Sequence, residues 1–171
     1  ERTLTRQLVI EAPASEVYDH LARIRRWEGW YIPPGAGRFE GPELGRGGAL
    51  VLVDAETREA RRVVLTETSS PARVAYAFPE LDQTPYDIDG SFELDAVGPE
   101  QTRVTSRQRL RARAGTDARL ALAGERWFLY AFADRFVGSI LARELHNLKA
   151  AVEGLPAPEA AGQGELREAA R

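Results

Sequence analysis

Cysteine is absent from this sequence, which excludes disulfide frameworks, thiolate zinc sites and a cysteine nucleophile. Methionine is absent as well, so any wall facing a ligand has to be built from Leu, Val and aromatic side chains. No stretch approaches the roughly 18 consecutive apolar residues that a membrane-spanning helix needs. The opening Glu1-Arg2-Thr3 carries no apolar segment, so no signal peptide is expected and a cytoplasmic location follows as the expectation. Lysine is nearly missing: Lys149 is the single lysine among 23 basic residues. Arginine forks suit phosphates and carboxylates, but a GC-rich coding bias produces the same excess. With a net charge of -3 and the two signs interleaved, there is no basic footprint for nucleic acid.

Chemical motifs are equally sparse. The two histidines, His20 and His146, stand far apart, and no H-E-x-x-H or comparable metal spacing occurs. No G-x-S-x-G elbow is present for a serine nucleophile. Gly45-x-Gly47-Gly48 has no helix after it, so it marks a turn and not a phosphate cradle. Neither a metal nor a cofactor is expected.

What is present is a patterned chain of 171 residues with 43% apolar content, enough for one domain with its own core. Residues 4–10 are strand-like; Glu11 to Ser15 then break the run, with Ser15 offered as a helix cap. Short helical pieces are expected over 16–21 and 22–27. Trp30-Tyr31-Ile32-Pro33-Pro34-Gly35-Ala36-Gly37 forbids regular structure and makes an aromatic-rich loop. Six strands follow, at about 38–44, 48–54, 59–67, 72–78, 86–96 and 101–113, joined by short turns into an antiparallel meander. On the last two, Tyr86, Ile88, Gly90, Phe92 and Leu94 share one face, and Val104, Ser106, Gln108 and Leu110 share the matching one. Folding about Gly98-Pro99 sets Asp95 by Arg103, Asp89 by Arg109 and Asp87 by Arg111, a charge-paired outer face.

After Gly115 the period changes to helical, and Leu120, Trp127, Ala131, Leu141, Leu145, Leu148 and Val152 trace one stripe. A long helix is expected to run to about Glu153 and to stop at Gly154-Leu155-Pro156. The domain is therefore placed at 1–153. The Ala/Glu/Gly segment 154–171 is expected to be a flexible tail.

A strand, two short helices, six antiparallel strands and a long C-terminal helix define an α+β architecture. A curved sheet of about seven strands has one apolar face, which a long amphipathic helix can cover. A curved sheet cannot touch a straight helix everywhere, so a ligand cavity is expected between them. Trp30, Tyr31, Tyr76, Phe78, Tyr86, Phe92, Trp127, Tyr130 and Phe136 are available to line it. Ser106 and Gln108 fall on the inward face, where their polar groups need partners in the protein, buried water or a ligand. Asp134 falls on the buried stripe of the long helix. It is a candidate acid or base there, or a carboxylate paired with arginine. Trp30, Tyr31 and Ile32 have no periodic reason to be buried and could gate the mouth.

Ile10-Glu11-Ala12-Pro13-Ala14-Ser15-Glu16-Val17-Tyr18, the Trp27-x-x-Trp30 segment, Ser91-Phe92-Glu93-Leu94, Thr102-Arg103-Val104-Thr105 and Glu144-Leu145-His146-Asn147-Leu148-Lys149 carry a resemblance over residues 2 to 153. In these phrases and in element order the chain resembles the START/Bet v 1-like (SRPBCC) superfamily, specifically its bacterial polyketide cyclase/dehydrase-like branch. The resemblance implies a helix-grip fold holding a small hydrophobic molecule such as a lipid, aromatic metabolite or polyketide. It also implies a positioning arginine on a middle strand, Arg61 or Arg62 here, and Trp27 as an aromatic near the mouth. A tyrosine often found between the helices and the second strand has no clear counterpart, with Tyr31 the only one near. The expected activity is that of a carrier or sensor. The alternatives are a cyclase or dehydratase using cavity Asp134, Arg62 and aromatics, and a protein-interaction module with a filled core. The oligomeric state is open, a homodimer included.

Overall fold

The computed structural model describes residues 1–53, 60–79, 86–112, 135 and 137–156. Seven strands form one antiparallel sheet: β1 (Arg2–Ile10), β2 (Gly37–Glu40), β3 (Ala49–Val53), β4 (Ala60–Ser69), β5 (Arg73–Ala77), β6 (Tyr86–Gly98) and β7 (Gln101–Ala112). Their order is β1-β7-β6-β5-β4-β3-β2. The meander runs through consecutive neighbours, and only the first strand crosses over, to pair with the last. Two helices stand beside the sheet among the described residues: α1 (Ala14–Ala22), followed by a single 3-10 turn over Ile24–Trp27, and α2 (Gly138–Val152). The expected strands are all found, within a few residues of their expected ends. The second is shorter than expected because Gly41, at φ 74°, turns the chain against the Gly47 carbonyl, where any Cβ would collide at 2.5 Å.

The first helix starts two residues earlier than expected and without Ser15 as its cap. Pro13, at φ -61°, stands at the cap position, and its carbonyl accepts from the Glu16 and Val17 N–H groups at 3.0 and 3.2 Å. Proline suits that place because its φ is already helical and it has no N–H to leave unpaired. Ser15 is exposed within the first turn. Of the long C-terminal helix, Gly138–Val152 is described, and residues 113–134 lie outside the described residues. Leu141, Leu145, Leu148 and Val152 form its buried stripe, each contributing about 2 kcal/mol of apolar burial. It stops where expected: Gly154 adopts φ 64° and the Leu155 N–H reaches back to the Ala150 carbonyl at 2.8 Å. The tail from residue 157 lies outside the described residues.

The single lysine fastens this helix to the sheet. Lys149 Nζ donates to the Val9 carbonyl of β1 at 2.9 Å and pairs with Glu153 at 2.7 Å. Glu153 in turn accepts the Glu11 N–H at 2.7 Å. Burial opposes ionisation of Glu153, yet the bonds from Lys149 and Glu11 hold its carboxyl below its ordinary range.

The β6–β7 register pairs Asp95 with Arg103, Asp89 with Arg109 and Asp87 with Arg111, as the alternation predicts. On that outer face Asp89 binds Arg109 at 2.9 Å and Arg111 at 2.8 Å, and Glu93 binds Arg107 at 3.1 Å and Arg73 at 3.5 Å. Shallow grooves of about 390 and 470 Å³ on this face are lined by these same ion-paired side chains. Their lining is mainly polar, with Ala75, Tyr76 and Ala77 in the larger one.

The opposite face holds the core. Gly90, opposite Tyr76 in β5 and Gln108 in β7, is the position where a side chain is excluded. A Cβ there would run into the ring and hydroxyl of Tyr76. At Gly138 a Cβ would meet only the tip of the Arg6 guanidinium, which can swing aside. Gly90→Ala should therefore lower the unfolding free energy by about 1–3 kcal/mol, and Gly138→Ala should change it by less than about 1 kcal/mol. Urea denaturation of the two variants checks this; equal effects would show that the Tyr76 ring is free to move.

Candidate functional site

Trp27 sits at the centre of the interior. It is wholly buried, and its Nε1–H donates to the Leu21 carbonyl of α1 at 2.9 Å. Four aromatic rings surround it: Trp30 at 5.1 Å, Tyr31 at 4.8 Å, Tyr76 at 5.5 Å and Phe92 at 6.3 Å. Tyr76 and Phe92, on adjacent strands, stack at 5.5 Å, and Phe78 meets Tyr76 edge-on at 5.7 Å. The nest joins the 3-10 turn, the loop after it, β5 and β6. Edge-to-face and offset contacts of this kind add about 0.5–1.5 kcal/mol per pair beyond burial.

The loop that follows the 3-10 turn folds inward. The Trp27 carbonyl accepts the N–H groups of Tyr31 and Ile32 at 2.9 and 3.3 Å, and Gly29 N–H donates to the Ile32 carbonyl at 2.8 Å. From α2, Asn147 Nδ2 donates to the Trp30 carbonyl at 3.1 Å. Backbone bonds, and not periodicity, thus bury Trp30 and Ile32 and half-bury Tyr31.

Among the described residues, four polar atoms of this interior are buried without a hydrogen-bond partner: Trp30 Nε1, Tyr76 Oη, Ser106 Oγ and Glu144 Oε2. Ser106 lies directly opposite Phe92 across β6 and β7. Glu144, on α2, keeps part of its length accessible, but its carboxyl is deep enough that burial pushes it up to about 8, with Arg143 opposing the shift. Burial also pushes the Tyr31 and Tyr76 hydroxyls well above their ordinary value, and the nearby Glu144 adds to both shifts. The arrangement therefore presents uncharged hydroxyl, indole and carboxyl groups inside an aromatic wall. An unpartnered buried polar atom costs about 1–3 kcal/mol, so this set is expensive for a purely structural core.

The expected residues divide clearly. Trp27, Trp30, Tyr31, Tyr76, Phe78 and Phe92 come together, and Ser106 joins them. Gln108 is half-buried on the same face, opposite Gly90. Tyr86 opens β6 opposite Ala112. Arg62 does not join the group. It pairs with Val51, and its guanidinium binds Glu40 at 3.2 Å. That is the outer face of the sheet, because the strand neighbours Arg61 and Val63 carry the inward parity; Arg61 itself is exposed. Asp134, Trp127, Tyr130 and Phe136 lie outside the described residues. His20 and His146 each hydrogen-bond the carbonyl four residues back, Glu16 at 3.1 Å and Ala142 at 2.7 Å, away from the nest.

Glu144 is a site residue that carries a signal in the sequence. It stands three residues after Leu141 and four before Leu148, inside the helical stripe, where a carboxylate is out of place.

Comparison with known proteins bears on this site. The crystal structure of the di-domain ARO/CYC BexL from the BE-7585A biosynthetic pathway is similar at TM-score 0.66 and 20% identity, over 93% of this chain and 48% of that one. A solution structure from Thermobifida fusca is similar at TM-score 0.60 and 20% identity, over 90% and 94% of the two chains. One from Arthrobacter aurescens is similar at TM-score 0.63 and 14% identity, over 94% and 92%. At these identities the likeness establishes the helix-grip fold alone. No curated protein matches the chain. The family described as polyketide cyclase / dehydrase and lipid transport matches residues 1–153, and the chain belongs to that family.

Proposed function

We propose that this protein binds a small hydrophobic molecule between the sheet and α2, as a carrier or sensor. The observation that carries this reading is the set of buried, unpartnered polar atoms in the aromatic nest: Trp30 Nε1, Tyr76 Oη, Ser106 Oγ and Glu144 Oε2. An apolar ligand bearing one or two polar atoms would fill both needs, apolar contact and hydrogen bonding. The family's range, cyclase, dehydrase and lipid transport, supports a bound hydrophobic molecule in each case. Trp27 differs from Trp30 in this respect. Its indole N–H is already taken by Leu21, so Trp27 is an anchor and Trp30 a ligand contact.

A second reading, an enzyme of the cyclase or dehydratase type, is favoured by one feature. Glu144, with its carboxyl raised to about 8, is suited to exchange a proton near neutral pH. The two readings part on Glu144→Gln. A carrier keeps its ligand and loses nothing in turnover, whereas the enzyme keeps binding and loses the reaction.

The Tyr76 hydroxyl supplies the direct test of ligand binding. Wild-type protein should take up one Nile red per chain, and Tyr76→Phe should weaken that uptake several-fold, the equivalent of about 1 kcal/mol. The same variant should unfold at unchanged or higher urea, since it removes a buried hydroxyl that has no partner in the protein. Lack of uptake by the wild type, or clear destabilisation of Tyr76→Phe, contradicts the proposal.

Glu144 makes a prediction in pH. Its carboxyl is raised from 4.5 to about 8, so the folded state holds the proton that the unfolded chain releases. Its contribution to stability is complete below about 4.5, declines as the pH climbs toward about 8, and declines no further above that. The slope is roughly 1 kcal/mol per pH unit. Glu144→Gln has no proton to lose, so its stability should gain on wild type steadily across this window in urea titrations. Parallel profiles would place the carboxyl in water.

A further inference from the structure

We propose that the polar groups of this nest select ligands by charge, accepting an uncharged molecule that carries a carbonyl or hydroxyl and rejecting carboxylates and phosphates. This rests on the binding reading above and goes beyond it by naming the chemical class. Three of the unpartnered groups, Trp30 Nε1–H, the Tyr76 hydroxyl and a protonated Glu144, are donors, and Glu144 and the Tyr76 oxygen also accept. They match a neutral carbonyl or hydroxyl oxygen without leaving a net charge in the interior.

An anion entering the same place would need a cation, and the described residues supply none at that point. The charged and titratable groups that reach Glu144 are few. Tyr31 from the loop and Tyr76 from β5 couple to it, and both hydroxyls are held neutral. Arg143, its neighbour on α2, is exposed and lowers the Glu144 pKa only in part. From β1, Arg6 has the inward parity opposite Ser106, but it is exposed, donates to its neighbour's carbonyl on Thr5 at 2.9 Å and lies against Gly138. Gly138 is six residues from Glu144, about 9 Å along the helix. Lys149 is committed to Glu153 and the Val9 carbonyl. The α1 side contributes Val17, Leu21 and the half-buried Tyr18 to the core. Arg107, Arg109 and Arg111 are on the other face of the sheet, paired with Asp89 and Glu93. A ligand carboxylate would thus be desolvated next to an acid, and both cannot ionise there.

Two probes of one ring system test this: acetylnaphthalene, a neutral ketone, and naphthoate, its carboxylate counterpart, each titrated into the full chain by calorimetry. At neutral pH the ketone should bind at least about tenfold tighter than naphthoate. Ketone affinity should fall as the pH rises through about 8, when Glu144 gives up the proton it donates. Glu144→Gln should bind the ketone with no such fall. The comparison of the two probes on wild-type protein needs no variant, so it stands even where Glu144→Gln folds poorly. Naphthoate binding as tightly as the ketone, or a ketone affinity indifferent to pH, overturns the charge selection and leaves the binding reading intact. Binding of neither ring, with no uptake of Nile red, overturns the binding reading itself.

Discussion

Among the described residues, the aromatic interior is arranged around one side chain, the indole of Trp27. Its ring is the common neighbour of Trp30, Tyr31, Tyr76 and Phe92, and its N–H is fixed to the last turn of α1 through Leu21. That single hydrogen bond sets the tilt of the indole. The indole's faces and edges then set where the loop tryptophan and the two sheet aromatics can lie. The sheet side meets this demand with an omission: Gly90 has no side chain, so Tyr76 can lie across it with its hydroxyl deep in the interior. The helix side meets it with Asn147, which holds the Trp30 carbonyl. Loop, sheet and helix are each defined relative to Trp27, and the loop is buried because its backbone is tied to Trp27 and to α2.

Packing of this quality normally comes with polar groups satisfied. Here the satisfied and unsatisfied groups separate by position. Trp27 Nε1, Thr102 Oγ1 and the Lys149 ammonium, which hold elements together, all have partners, Leu21, Ala12 and Val9 carbonyls among them. Beside two arginine Nε atoms on the outer face of the sheet, the atoms left over among the described residues, on Trp30, Tyr76, Ser106 and Glu144, are carried by four different elements around the aromatic nest. The grouping of these four atoms is the feature on which the proposed ligand reading rests.

The fold was legible because it rests on periodicity. Alternation along 86–96 and 101–113 is enough to fix both faces, and with Gly98-Pro99 as the turn it fixes the register as well, down to Asp89 beside Arg109. The aromatics of the nest were legible for the same reason, since Tyr76 and Phe92 share the inward parity. Parity also decides against Arg62: one residue away from the inward position, it is carried to the outer face and to Glu40. What periodicity could not supply is contact made by the backbone. The loop's inward course depends on hydrogen bonds at Trp27 and Gly29 and on Asn147, none of which leaves a hydrophobic pattern. Ser15 as a cap failed because a serine before a helix looks the same whether or not a proline two residues earlier has already begun it. Glu144 is the instructive case. A carboxylate on an apolar stripe stands out only when the stripe is drawn at both i+3 and i+4 spacing, as Glu144 lies between Leu141 and Leu148.

The arginine excess finds a physical use once the two faces of the sheet are told apart. Two acidic residues of the outer hairpin face each serve two guanidinium groups, Asp89 with Arg109 and Arg111, Glu93 with Arg107 and Arg73. A planar fork with several donors can bridge neighbouring strands in this way, where an ammonium on a flexible stem fixes no such geometry. Each exposed pair is worth at most about 1 kcal/mol, so their sum does not make the fold. Arginine stems can cover small neighbours, and the small outer-face residues Ala75, Ser91 and Thr105 are buried. A sheet held this firmly from outside can keep Gly90 under Tyr76 and Ser106 beside Phe92 within the tolerance that the inner nest needs. Cations outside and a neutral acid inside are thus two sides of one arrangement: charge is used where water screens it, and hydrogen bonding without charge is kept for the interior.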